Sequence, residues 1–109
     1  MFSWTALHFA SWNDHVKVIE ILAAFGANVD AVINGGVSAL MKAASLPRQE
    51  SVRLLLALNA DMTKVNDMGR TALQRATTAE TKRILLEHEK KSVNRLWKSI
   101  YKLHLFDEN

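Results

Sequence analysis

A segment of this chain returns at a regular interval of about 33 residues, and that repetition restricts the fold more than any other feature of the sequence. Thr5-Ala6-Leu7-His8-Phe9-Ala10 comes back as Ser38-Ala39-Leu40-Met41-Lys42-Ala43, and again as Thr71-Ala72-Leu73-Gln74-Arg75-Ala76. The register extends further: Ile21-Leu22 aligns with Leu54-Leu55, Ala27 with Ala60, Val32 with Val65 and Gly36 with Gly69. A period of this length marks a supersecondary unit stacked on copies of itself, because a single unit cannot bury its own apolar face. The chain holds one Pro and four Gly in 109 residues. So little punctuation points to helices joined by tight turns.

Each unit reads as a helix pair. A Ser or Thr opens it, and its hydroxyl is suited to accept from an orphan amide of the first turn. Leu and Ala follow at helical spacing (Leu7 and Ala10, Leu40 and Ala43, Leu73 and Ala76). Asn13-Asp14 in the first unit and Pro47 in the second interrupt the pattern. A second helix then carries Val18, Ile19, Ile21 and Leu22, or Val52, Leu54, Leu55 and Leu56, on one face. Gly26 and Asn59 are placed to close these helices, since both residue types tolerate the left-handed conformation. Connectors of about ten residues pass through Asn34-Gly35-Gly36 and Asn66-Asp67-Met68-Gly69, which read as turns.

Over residues 3–88 the chain resembles the ankyrin-repeat family. The resemblance rests on the period together with Thr-Ala-Leu-His at 5–8, Gly-Ala at 26–27, Asn-Asp-x-Gly-Arg-Thr-Ala-Leu at 66–73 and Ile-Leu-Leu-Glu-His at 84–88. It implies a mainly α solenoid of antiparallel helix pairs with short β-hairpin-like loops, in units of about 3–36, 37–69 and 70–88. The departures are specific. Ala6, Ala39 and Ala72 stand where the family places Pro, and Met41 and Gln74 replace the motif histidine that survives as His8. The third unit is short by about three residues around Thr77 to Thr81. Three units are about the minimum for independent folding, so a marginal domain, or part of a longer stack, is expected.

Residues 89–109 follow another pattern. Val93, Leu96, Trp97, Ile100 and Tyr101 are spaced as one face of an amphipathic helix, and Leu85 and Leu96 lie nearly in phase. Either one helix runs from about Ala79 to Leu103, or it breaks across Glu87–Ser92, where the apolar face is empty. Lys90, Lys91, Arg95, Lys98 and Lys102 make the segment basic, and no acid falls between Lys90 and Phe106. Residues 1–55 are neutral, so the net charge of +3 comes entirely from the second half. A cap folded over the last repeat, with its lysines in water, is one reading. A helix that contacts an anionic membrane surface or partner through residues 90–103 is another. Some ankyrin proteins end in a SOCS box with a Leu and a Cys four residues later; Val93 and Trp97 occupy those places here, without the Cys.

No constellation points to catalysis. There is no Cys, which removes thiol nucleophiles and cysteine-ligated zinc. His8, His15, His88 and His104 fall in different elements without metal-ligand spacing. Asp14-His15 imitates a dyad but occupies the helix–helix turn, where the resemblance implies Gly-His and a ring bonded to backbone. Gly35-Gly36 precedes no phosphate-binding Lys, and Asp61, Asp67 and Glu80 form no acid–base pair. The expectation is a non-enzymatic scaffold or adaptor without cofactor, metal or small-molecule substrate. Its partner would be another protein; the alternatives are a peripheral module whose basic C-terminal helix contacts an anionic membrane or nucleic acid, and the ankyrin part of a larger adaptor or enzyme. A signal peptide, a membrane span and Cys are all lacking, so an intracellular location is expected. The resemblance implies binding through hairpin tips and inner helices. Those positions are Trp4, Val32, Asn34, Val37, Val65, Asp67, Met68 and Arg70 for the tips, and Trp12, Asn13, Ser45, Leu46 and Thr78 for the helices. Trp and Arg rank first among them, because they dominate binding energetics at partly exposed positions; the other reading of Trp4 and Trp12 is that they plug the N-terminal end of the stack or pack on a preceding repeat.

Overall fold

In the computed structural model, which describes residues 4–108 and their side chains as far as Ile100, the hydroxyl caps set the frame. Thr5, Ser38 and Thr71 all have extended backbone, and each side chain accepts from the amide three residues on, at 3.2, 3.2 and 3.3 Å. They open α1 (Ala6–Trp12), α3 (Ala39–Ser45) and α5 (Ala72–Arg75), with α2 (Val16–Ala24), α4 (Gln49–Ala57) and α6 (Ala79–Glu108) as the second helices. At Thr71 the cap is reciprocal: Gln74 Oε1 accepts from the Thr71 amide at 2.9 Å. Between α2 and α3, β1 (Val32–Ile33) pairs antiparallel with β2 (Val37–Ser38), Val32 opposite Ser38.

The helices stack in two layers. α1, α3 and α5 form the inner row, and α2, α4 and α6 the outer. The middle unit is buried from both sides: Ala39, Leu40, Met41, Ala43 and Ala44 of α3 and Val52, Leu55 and Leu56 of α4 are all in the core. Alanines at 39, 43 and 44 let the inner helices approach closely, and each large side chain removed from water contributes about 1.5–3 kcal/mol. The closing residues adopt the left-handed backbone their types allow, with φ +89° at Gly26 and +67° at Asn59. Gly36 (φ +71°) answers to a second demand: a Cβ there would meet Asp67 Oδ1 at 2.7 Å. The first hairpin and the following turn are thereby pressed together, and Asp67 N–H donates to Gly35 O at 2.8 Å.

The shortened third unit has a physical consequence. α5 is four residues long where α1 and α3 have seven, and Thr78 Oγ1 accepts from the Thr81 amide to start α6. α6 is one unbroken helix across Glu87–Ser92, and the backbone of this 30-residue helix continues to Glu108. It does not fold back as a cap. Every described residue from Glu89 to Ile100 is exposed. The radius of gyration, 15.8 Å, exceeds the about 13 Å expected for a compact chain of this length, as a projecting helix requires.

Candidate functional site

The repeat register places three ladders of side chains on the inner row: Trp4, Val37 and Arg70; Phe9, Lys42 and Arg75; Trp12, Ser45 and Thr78. At one end of this face the aromatics assemble. Trp4 meets Phe9 with ring centroids 4.8 Å apart and Trp12 edge-on at 5.7 Å. Lys42, from the next unit, lays its Nζ 4.4 Å from the Trp4 ring centre and 4.8 Å from that of Trp12. An ammonium so placed is attracted by the negative faces of both indoles, about 0.5–1 kcal/mol at an accessible site. Burial against these rings, and secondarily the Arg75 guanidinium, hold the Lys42 ammonium below its usual pKa. Arg48 closes the group from behind: its Nε donates to Trp12 O at 2.7 Å. Trp12 and Phe9 keep 37% and 54% of their surface exposed.

Phe9, Lys42 and Arg75 are not among the positions expected from sequence. A signal for them exists, since they stand one repeat period apart beside the motif residue His8 and its counterparts. The remaining expected positions divide into two groups. Val32, Val65, Asp67, Met68 and Arg70 are exposed along the hairpin and the turn after α4, as is Asn34. Asn66 builds that turn by accepting from the Met68 and Arg70 amides at 2.9 and 3.0 Å. Several others are engaged in local structure. Asn13 Nδ2 donates to Phe9 O, Ser45 Oγ to Lys42 O, and Thr78 Oγ1 to Thr81 Oγ1. Leu46 is half-buried at the end of α3, and Val37 O accepts from His8.

His8 and Asp14 hold the units together. His8 is fully buried, with Nε2 2.9 Å from Val37 O and Nδ1 2.6 Å from Thr5 Oγ1. A carbonyl can only accept, so Nε2 carries the proton and Nδ1 takes the threonine hydrogen in the neutral ring. Burial lowers the pKa of His8, with the Val37 bond opposing and Lys42 adding to the effect. Asp14 and His15 are not a dyad. Asp14, with φ +57° where the family carries Gly, accepts at Oδ1 from Ser51 Oγ (2.6 Å) and the Ser51 amide (3.2 Å). The His15 ring is exposed, and its backbone N–H, not the ring, bonds Ala10 O to close the turn. No cluster of three or more metal-ligating side chains occurs among the described residues.

α6 presents a second surface. Thr81, Ile84, Leu85 and the half-buried His88 lie on the side that packs on α4, while Val93, Leu96, Trp97 and Ile100 are 45–66% exposed. Lys90, Lys91, Arg95 and Lys98 are exposed along the same stretch; the Lys102 side chain lies outside the described residues. No helix among the described residues is long and apolar enough to cross a membrane.

Stacked helix pairs, hydroxyl caps, a motif histidine reaching the next unit and an inner row open to solvent define a repeat module built for binding proteins. The chain belongs to the ankyrin-repeat family, a non-enzymatic protein-interaction fold: residues 7–97 match Ankyrin repeats (3 copies), past the expected end of the repeats at 88. It is 33% identical over 85 residues to the human BCL-6 corepressor-like protein 1, an alignment that covers 78% of this chain and 5% of that protein. Among solved structures it is similar to the ankyrin repeat domain of Bcl-3, a member of the IkappaB protein family, with TM-score 0.74 and 30% identity over 77% of this chain and 37% of that one. The human ASB11 ankyrin repeat domain gives TM-score 0.72 and 27% identity over 78% and 40%. The chain thus spans less than half the length of each.

Proposed function

We propose that the chain takes its partner protein on the inner face, with the aromatic group of Trp4, Phe9 and Trp12 as anchor and Lys42, Arg75 and Arg70 as a cationic track beside it. One observation carries this reading: Lys42 crosses from the second unit to sit over both indoles of the first. That contact supports a reading in which the tryptophans face along the inner row. None of the ladder positions is acidic, so the face suits a segment with carboxylates flanking an apolar or aromatic side chain. The experiment is affinity enrichment from cell extract on the immobilised chain, with the Trp12→Ala, Arg70→Ala double variant beside it. Proteins held by the wild type and lost from a double variant with an unchanged circular dichroism melt support the inner face. Identical retention by both would overturn it.

A further inference from the structure

The outer helices of the second and third units can be laid on one another at an offset slightly shorter than the repeat period, because the third unit is the shorter. Ser51 then meets Thr81 and Leu55 meets Leu85, and all four are fully buried. Two other pairs differ. Val52 and Leu56 are 0% and 3% exposed, whereas their counterparts Lys82 and Leu86 are open, Leu86 by 51%. The cause is the next helix: α6 covers α4, with Leu56 beside Ile84 and His88, and no described residue does the same for α6.

That open side continues as a stripe. At 100° per residue, Ala79, Leu86, Val93, Trp97 and Ile100 all lie within about 40° of one line along α6, roughly opposite the side that packs on α4. The stripe rises about 32 Å. Around its lower half, Ala79, Leu86 and Val93 share the exposed surface of α6 with Lys82, Arg83, Glu87, Glu89 and Lys90.

We propose that this face of α6 docks an acidic amphipathic helix of a partner protein. Residues 79, 86, 93 and 100 recur every seven, the spacing of one row of a helix-packing seam. Charge selects the occupant. Lys82 and Lys90 flank the stripe at its base, with Arg83, which Glu80 already pairs, beyond them; Glu89 is the acid beside the stripe, and Lys91, Arg95 and Lys98 lie round the helix from it. Lys82 stands where Val52 does in the preceding unit, so a further apolar repeat would bury an unpaired ammonium at considerable cost, whereas a carboxylate on the incoming helix would pair it. A second copy of this chain would bring the same cationic flanks against themselves. On an anionic lipid surface Glu89, beside the stripe between Leu86 and Val93, would face the headgroups.

The test uses the full chain and two labelled 21-residue peptides with leucines at the seam positions. One carries glutamates at the flanking positions and the other lysines, and binding is read by fluorescence anisotropy at physiological salt. The glutamate peptide is expected to saturate the chain and the lysine peptide to bind at least tenfold more weakly. Val93→Ser with Trp97→Ser, both exposed positions, is expected to weaken the glutamate peptide at least tenfold with an unchanged melt. Lys82→Glu with Lys90→Glu should reverse the preference, and Trp12→Ala with Arg70→Ala should leave it intact. Equal binding of the two peptides, or no loss in the Val93, Trp97 variant, overturns the proposal. So does self-association of the chain abolished by that variant, or binding to phosphatidylserine vesicles without binding of the glutamate peptide.

Discussion

Leu56 and Leu86 offer a comparison in which residue type, helix position and neighbouring motif are held constant and only coverage by the next helix changes. Replacing Leu56 by Ala removes three carbons from a side chain that is 3% exposed. Transfer alone is worth about 2.4 kcal/mol at about 0.8 kcal/mol per carbon. The cavity left between α4 and α6 raises the loss to about 3–4 kcal/mol. Leu86, 51% exposed, loses about half of the transfer term and leaves no cavity, so Leu86→Ala is expected to cost about 1 kcal/mol. Urea unfolding followed by far-ultraviolet circular dichroism separates the two. With a slope of about 1–3 kcal/mol per molar, the midpoint should fall by about 2 M for Leu56→Ala and by about 0.5 M for Leu86→Ala. Against a total stability of about 5–15 kcal/mol, the first variant stands near the edge of folding. Equal large losses would mean that Leu86 is covered in solution, and α6 would then have to fold back. Equal small losses would mean that the outer layer does not carry the stack's stability.

Three further outcomes follow from the caps and ties between units. Burial holds the folded-state pKa of His8 below the usual 6.5, so the unfolded chain takes up the proton first; Tm is expected to be highest above about pH 6.5 and to fall as the pH drops through the folded-state value, a dependence that His8→Gln removes. Asp14→Ala breaks both bonds to Ser51 and puts a β-carbon residue without local hydrogen bonding at φ +57°; chemical denaturation should show a loss of about 2–3 kcal/mol. Ala6→Pro restores the residue the family prefers. Thr5 is already extended (φ −82°, ψ 162°) and Ala6 is exposed, so calorimetry should show a gain of about 0.4–1 kcal/mol.

The repeat frame is legible because its signals are local. A hydroxyl three residues before a free amide, a Gly or Asn after the last apolar turn, and a Leu-Ala pair at helical spacing each act within one turn of chain. Their return at a constant period makes the coincidence unmistakable. The candidate site is legible only in outline. The ladder of Trp4, Val37 and Arg70 can be written from the period alone, but Phe9, Lys42 and Arg75 on the parallel ladder escape a reading that starts from hairpin tips, although the same offset contains them. Asn13 and Thr78 occupy binding positions by register yet spend their side chains on caps, a choice that depends on where each helix actually stops.

By itself, the sequence determined that this chain stacks helix pairs, that a hydroxyl opens each and that Gly26 and Asn59 close the first two, and that its last segment is an amphipathic basic helix. Tertiary structure decided what each apolar face meets. Periodicity records that Leu56 and Leu86 share a face of their helices, but coverage is a property of the neighbouring unit: α6 buries the first, and no described residue buries the second. The same holds for Lys42, whose place over Trp4 and Trp12 arises only when two units dock, and for α6 itself. The absence of Gly or Pro after Gly69 permits an unbroken helix, and its apolar stripe lies opposite the side that packs on α4. A single rigid helix cannot turn both sides toward the same stack, so the stripe remains open to solvent.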